Sequence, residues 1–298
     1  MDRFISYSLI PTEYIMRYEL SALLAAFSFG LNAVLVRKGM RESTPVTATL
    51  SVAAVQVVVL SIVLAFDFPA LDWTAIGYFI LAGFLAAIMG RTMNYVSIDK
   101  LGVPISSSLT GTNPIFAMIL GILFLGERIT ISNFLGSVFV VFGVMLISGW
   151  GSQNNVNARD LVIPIGSAFF YASSSALRKI GLNILPESVL GAVVGALTGL
   201  IAYPVILRLM GRTGEFRLSR KALPYLLFGG IATSLAWIGM FFATQQGSVG
   251  VVSAIIGSNP LFGLVLSALL LKDTEKFTLR IVAGSFLIVT SVVLITLF

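Results

Sequence analysis

Apolar residues run along this chain in long unbroken stretches, each closed by a short cluster of charged, glycine or proline residues. Crossing about 30 Å of hydrocarbon takes about 20 residues at about 1.5 Å each. Stretches of that length occur ten times, at 18–38, 46–66, 73–97, 103–125, 133–150, 160–180, 188–209, 223–243, 249–271 and 279–298. They lack the in-and-out alternation of barrel strands, and unpaired backbone cannot sit in lipid, so each predicts a helix. The expected fold class is an all-α integral membrane protein. The first seventeen residues carry Arg3, Glu13 and Arg17 and no clean apolar core before a small-residue cleavage site, so the first span is expected to be retained.

The polar stretch from Gly149 to Arg159 divides the chain. Residues 1–17 form an N-terminal segment, 18–150 a first unit holding spans one to five, 151–159 a linker, and 160–298 a second unit holding spans six to ten. Laid on one another, the units match. Arg37-Lys38 falls on Arg178-Lys179, Gly83 on Gly229, Gly111-Thr112-Asn113-Pro114 on Gly257-Ser258-Asn259-Pro260 and Gly136-Ser137 on Gly284-Ser285, at offsets of 141, 146, 146 and 148. Five spans is an odd number, so the two units must cross the membrane in opposite senses. Ten transmembrane helices as two inverted five-helix repeats is an architecture of secondary transporters, with the site near the midplane between the repeats.

Composition agrees with a lipid-facing exterior: 57% of the residues are hydrophobic and 11% charged, against about 45–50% and about 25% in soluble domains. Histidine and cysteine are both absent. That removes disulfides, thiol nucleophiles, Cys/His metal sites and histidine bases, and no pair of intramembrane aspartates replaces them. No enzyme, metal or cofactor is expected. The net charge of +6 is read as loop charge that sets orientation rather than as a nucleic-acid footprint. Loops on the side of the termini hold five Lys/Arg (Arg3, Arg17, Arg128, Arg178, Lys179) and the opposite loops thirteen, a bias that by the positive-inside rule favours termini outside.

Each half has a Gly-[Thr/Ser]-Asn-Pro element in its fourth span and an acidic residue just after it, Glu127 in Gly126-Glu127-Arg128 and Asp273 in Lys272-Asp273. With the duplication and the ten spans, this resembles the drug/metabolite transporter superfamily, specifically its EamA-like members, over about residues 18–298. The resemblance implies a ten-helix transporter with cytoplasmic termini and a central cavity lined by the first, third and fourth spans of each half. It implies a small-molecule cargo such as an amino acid, another metabolite, a nucleotide sugar or a drug. The expected function is secondary transport of small amphipathic metabolites by alternating access, as an exporter or exchanger, by a monomer among the lipids of the cell membrane. A lipid flippase or a non-transporting membrane sensor would share the same helices and charge. The small multidrug-resistance relatives carry a glutamate in the first helix where this chain has Phe29-Gly30. Of the 13 acidic residues Glu19, in the first turn of span one, comes nearest to lying deep in a span, so uniport or exchange is expected rather than carboxylate-centred proton antiport.

Site candidates follow from polar residues at depth. Pro114 and Pro260, in the middle of spans four and nine, remove a helix hydrogen bond and free the carbonyls of Thr110 and Ile256, which makes them a hinge pair. Ser106, Thr110 and Asn113, at i, i+4 and i+7, form a polar stripe whose repeat counterpart is Val252, Ile256 and Asn259. Arg91 lies about six residues, roughly 9 Å, inside the end of span three. It either faces a ligand, with Asn94 and Tyr95 on its side, or snorkels to the headgroups. Its repeat partner, Trp237, suits a cargo with one anionic and one apolar end. Asn32 in span one and Tyr171 and Ser174 in span six, with Ser173 and Ser175, close the site from the other side. Arg37-Lys38 and Arg178-Lys179 are read as interfacial anchors.

Overall fold

In the computed structural model, residues 12–66, 68–94, 96–97, 101, 109–147, 159–211, 213–271 and 279–297 are described. The first half contributes α1 (Thr12–Met40), α2 (Pro45–Phe66), α3 (Trp73–Phe84), α4 (Asn113–Leu125) and α5 (Ile131–Ile147). The second contributes α6 (Val162–Ile184), α7 (Ser188–Leu209), α8 (Leu223–Gln246), α9 (Val249–Ile256), α10 (Asn259–Leu271) and α11 (Leu279–Leu297). A π-helical turn at Leu85–Gly90 carries α3 onward to Asn94. α1 from Tyr18, α2, extended α3, α7 and α8 are each long and apolar enough to cross a bilayer alone. No strand occurs among the described residues.

Three expectations change. Span nine is two helices, α9 and α10, and span four restarts at Asn113 after a turn at Gly111-Thr112. α1 begins at Thr12, so Glu19 is two turns inside a helix and not in its first turn. α6 continues to Ile184, which puts Arg178 and Lys179 within the helix and not at its end.

Small residues draw the helices together, as they must in lipid, where no hydrophobic force separates helix from hydrocarbon. Gly191, Gly195 and Gly199 of α7, four apart, receive Phe79, Gly83 and Ala87 of α3, also four apart. A Cβ on Gly83 would lie 2.7 Å from Gly195 Cα, so the two backbones touch. Phe79, Phe241, Trp237, Leu60 and Leu182 fill the core around this crossing. α1 runs antiparallel to α8, with Gly39 on Leu226 at one end and Gly239 on Ser21 at the other. Its next face meets α10 through Gly30 against Gly263 and Phe27 edge-on to Phe262. α5 and α11 pair through Gly143, Val140, Val144 and Ile288. Phe66, Leu123, Phe124, Phe228 and Phe286 stand outward, an apolar surface of the kind a bilayer covers.

Candidate functional site

The two breaks are built alike. The hydroxyls of Thr112 and Ser258 each donate to the carbonyl three residues back, Leu109 and Ile255, at 2.6 Å. The backbone carbonyls of Thr112 and Ser258 each accept the amide three residues on, from Ile115 and Leu261, at 3.0 Å. Pro114 and Pro260 then sit in the first turn of α4 and α10, where a missing amide hydrogen is no loss. The expected bends in continuous helices are therefore full breaks, and Pro starts a helix at each. Asn259 Nδ2 donates to the Ile256 carbonyl at 3.0 Å, so that carbonyl is not left free. The breaks meet: a Cβ on Gly257 would lie 3.3 Å from Pro114 Cγ, and Gly250 rests on Met118.

Beside them, the π turn of α3 ends at Arg91, whose amide reaches back five residues to the Ala86 carbonyl. Such turns are frequent at functional sites because they re-aim the residues that follow. Ser167 Oγ of α6 donates to the Gly90 carbonyl at 2.7 Å, and the Tyr171 ring lies on Gly90. Arg91 is half-buried, and its guanidinium has no hydrogen bond or ion pair with a described residue. Thr110 Oγ1 donates to Asn94 Oδ1 at 3.3 Å, and Asn113 Nδ2 to the Ala168 carbonyl of α6 at 3.1 Å. Asn94, Thr110, Asn113 and Tyr171 thus gather where α3, the broken fourth span and α6 meet, and Arg91 follows Gly90 on α3 beside them. Tyr95 and Ser106 lie outside the described residues. Ser174 is buried and donates its hydroxyl to the Ala82 carbonyl at 2.7 Å, and Ser173 and Ser175 bond carbonyls one turn back on α6. Trp237 stacks on Phe241, centroids 5.9 Å apart, inside the core. Asn32 stands apart, at the contact of α1 with Gly229 of α8.

At the other end of α6 the structure holds residues that sequence reasoning misread. Arg178 is 4% exposed, its guanidinium lies 4.6 Å from the Phe241 ring centre, and its Nε has no partner. Its repeat mate Arg37 is exposed. Lys179 Nζ donates to the carbonyls of Thr244, Gln245 and Gly247 at 2.8, 3.0 and 3.0 Å, a cation closing the C-terminus of α8. Neither is an interfacial anchor. Glu127 reaches the same corner from the first half. Gly126, at φ +63°, ends α4 in the left-handed conformation that glycine adopts without strain, and the reversal folds the Glu127 carboxylate over Gly121. Both carboxylate oxygens accept the Val249 amide, at 2.8 and 3.0 Å, in the first turn of α9. Burial pushes this carboxyl above the usual range, against the opposing pull of the Val249 and Gly250 amides and Lys179. Gln245 ties in the α6–α7 corner, accepting from Ser188 Oγ at 2.6 Å and donating to the Pro186 carbonyl at 2.9 Å. Glu19 is 2% exposed with Oε2 unbonded, beside Tyr18, whose ring packs on Gly247. Among the described residues no group of three or more Asp or Glu is placed to hold a metal.

The model of the EamA-like transporter family matches residues 16–149 and again 160–297. The chain belongs to the EamA-like transporter family. It is a multi-pass integral membrane transporter, with a small-molecule cargo as its family implies. An uncharacterized transporter of Archaeoglobus fulgidus is 23% identical over 280 residues, covering 93% of this chain and 97% of the relative. The uncharacterized transporter YvbV of Bacillus subtilis is 24% identical, covering 71% of this chain and 70% of its own length. A solved crystal structure superposes with a TM-score of 0.78 at 12% identity, over 94% of this chain and 96% of that one, which shows a shared fold.

Proposed function

We propose that this EamA-like transporter exports or exchanges a small amphipathic metabolite with an acidic end, such as an amino acid, by alternating access between two inverted repeats. The observation that carries this reading is the pair of matched helix breaks, one from each half, in contact at Pro114 and Gly257. Broken helices at mid-membrane offer backbone groups that a continuous helix consumes, and secondary transporters place their cargo there. Arg91, Asn94, Thr110 and Asn113 add side chains at the same place. Arginine's planar fork grips a carboxylate bidentately, and low local dielectric strengthens the pair. The corner held by Glu127 and Lys179 acts as the closed gate in this state, with α4 and α9 as parts that separate on opening.

Flux of an amino-acid panel into liposomes tests it, with purified wild type, Arg91→Lys and Arg91→Gln. Arg91→Gln is expected to lose about 2–5 kcal/mol of cargo binding, roughly 30-fold to several thousand-fold in affinity, with Arg91→Lys intermediate. An arginine that only snorkels gives another pattern: Lys restores flux fully, and Gln alters stability more than transport. Normal flux by a well-folded Arg91→Gln protein removes Arg91, and the acidic end, from this reading.

A further inference from the structure

Three polar atoms in the middle of the bundle have no partner among the described residues: Asn32 Oδ1 on α1, Gln56 Nε2 on α2 and Thr233 Oγ1 on α8. They stand at one depth. A Cβ on Gly229 would lie 3.3 Å from Asn32 Oδ1, and one on Gly230 would lie 2.5 Å from Val55 Cβ and 3.3 Å from the Val52 carbonyl. Gln56 follows Val55, and Thr233 is one turn on from this glycine pair, so all three come level along α8. Thr233 is close to halfway between Leu223 and Gln246, the ends of a membrane-crossing helix. Phe228, Ile231 and Leu235, the exposed residues of α8 at this level, lie on the opposite side of the helix from Thr233, which faces the bundle interior. Gln56 and Thr233 are 1% and 3% exposed.

One unpaired group in a protein is unremarkable, but three from three helices at one level of a lipid-embedded core leave hydrogen-bonding capacity that a shared ligand would satisfy. No bulk water relieves them there. The chemistry is also selective. The set offers an acceptor, a donor and a hydroxyl able to do either. It offers no charge: α2 and α8 contain no charged side chain, and α1 has none between Glu19 and Arg37. A bare ion would find no counter-charge on these three helices and would be desolvated without compensation from them.

We infer that Asn32, Gln56 and Thr233 form a binding site for a neutral hydrogen-bonding ligand, either a water molecule or the hydroxyl or carboxamide group of a solute. The ligand donates to Asn32 Oδ1, accepts from Gln56 Nε2 and bonds Thr233 in either sense. Water, with two donors and two acceptors, meets all three demands. The site stands whether or not Arg91 binds cargo.

The melting temperature of the full-length protein in detergent tests this without knowledge of the cargo. If a ligand bridges the three groups, Gln56→Leu and Thr233→Val each lower it by about 2–4 °C. The double variant then loses less than the sum, because one loss already breaks the bridge. Thr233→Ser, which keeps the hydroxyl, melts above Thr233→Val, the reverse of the order expected from apolar packing alone. If the atoms are simply unoccupied, apolar replacements relieve them and the melting temperature holds or rises, which overturns the inference. Melts in acetamide, glycerol, threonine and glutamine separate the sources. A rise in wild type that Gln56→Leu abolishes assigns a solute, and equal melts assign water.

Discussion

Arg178 is the residue whose environment departs furthest from its chemistry: a cation with an aromatic face beneath it, no ion pair among the described residues and almost no exposure. Exchanging a buried ion for an apolar side chain of similar length is often neutral or stabilising by about 1–4 kcal/mol. Arg178→Met is therefore expected to melt at or above the wild-type temperature in detergent, and Arg178→Ala, which leaves a void beside Phe241, below it. A methionine variant that melts lower would show that the guanidinium's contact with the Phe241 ring outweighs its desolvation. Arg91 stood out in the sequence as one charge inside an apolar run, and the structure leaves it half-buried. Arg178, Lys179 and Glu19 did not stand out, because hydropathy ends a span at the first charges. The helices themselves end where backbone bonding stops, at Leu185-Pro186 for α6, beyond its charges. Trp237 shows the complementary blindness, since an apolar run does not tell a residue that faces lipid from one that faces a core.

Helices approach here by glycine, and the cost of interfering follows from distance. Gly83→Ala places a methyl group on the Gly195 backbone, which cannot give, so a loss of about 1–3 kcal/mol is expected in a detergent melt. Gly77→Ala, with nothing near its Cβ position, should hold the wild-type value or exceed it on helix propensity. The Gly-Thr-Asn-Pro pattern made the interruptions legible, but the Thr112 and Ser258 hydroxyls that turn a bend into a break were not, since such hydroxyls usually bond their own helix. The Glu127 corner gives a pH prediction. Burial raises the carboxyl's affinity for its proton in this corner, and the proposed opening would return it to water and the ordinary range. The closed form therefore binds the proton more tightly. Lowering the pH through the interval between the ordinary carboxylate range and the raised one favours closure, and raising it through that interval removes that contribution. Because the chain has no cysteine, a single Ser253→Cys, at a position 8% exposed behind the corner, reports this as a maleimide labelling rate. Glu127→Gln, mimicking the protonated acid, should label slowly at every pH, and Glu127→Ala fast at every pH.

Across the whole molecule the two repeats carry the same residue types in different surroundings. Lys179 closes the α8–α9 corner with Glu127, whereas its mate Lys38 lies 5.7 Å from the Tyr225 ring centre, and Asp273, the mate of Glu127, is outside the described residues. The five-plus-five plan was legible because motifs repeat in register. Which of the two corners packs around its Lys and acidic residue was not, because equivalent positions carry similar residue types and only packing distinguishes them. If the repeats exchange conformations, Lys38 and Asp273 seal the opposite end when the Glu127 corner opens. Breaking a buried, charge-assisted contact by removing one partner costs about 3 kcal/mol, enough to move a two-state ratio roughly 100-fold. Glu127→Ala should then speed labelling of Ser253→Cys and slow that of Ala33→Cys, which in the present state is exposed on α1 toward the other end. Asp273→Ala should do the reverse, and the double variant should return both rates toward wild type, since each loss weakens one of two competing states. Variants that accelerate labelling at both positions together would mean that the ends open independently, and alternation between the repeats would have to be abandoned.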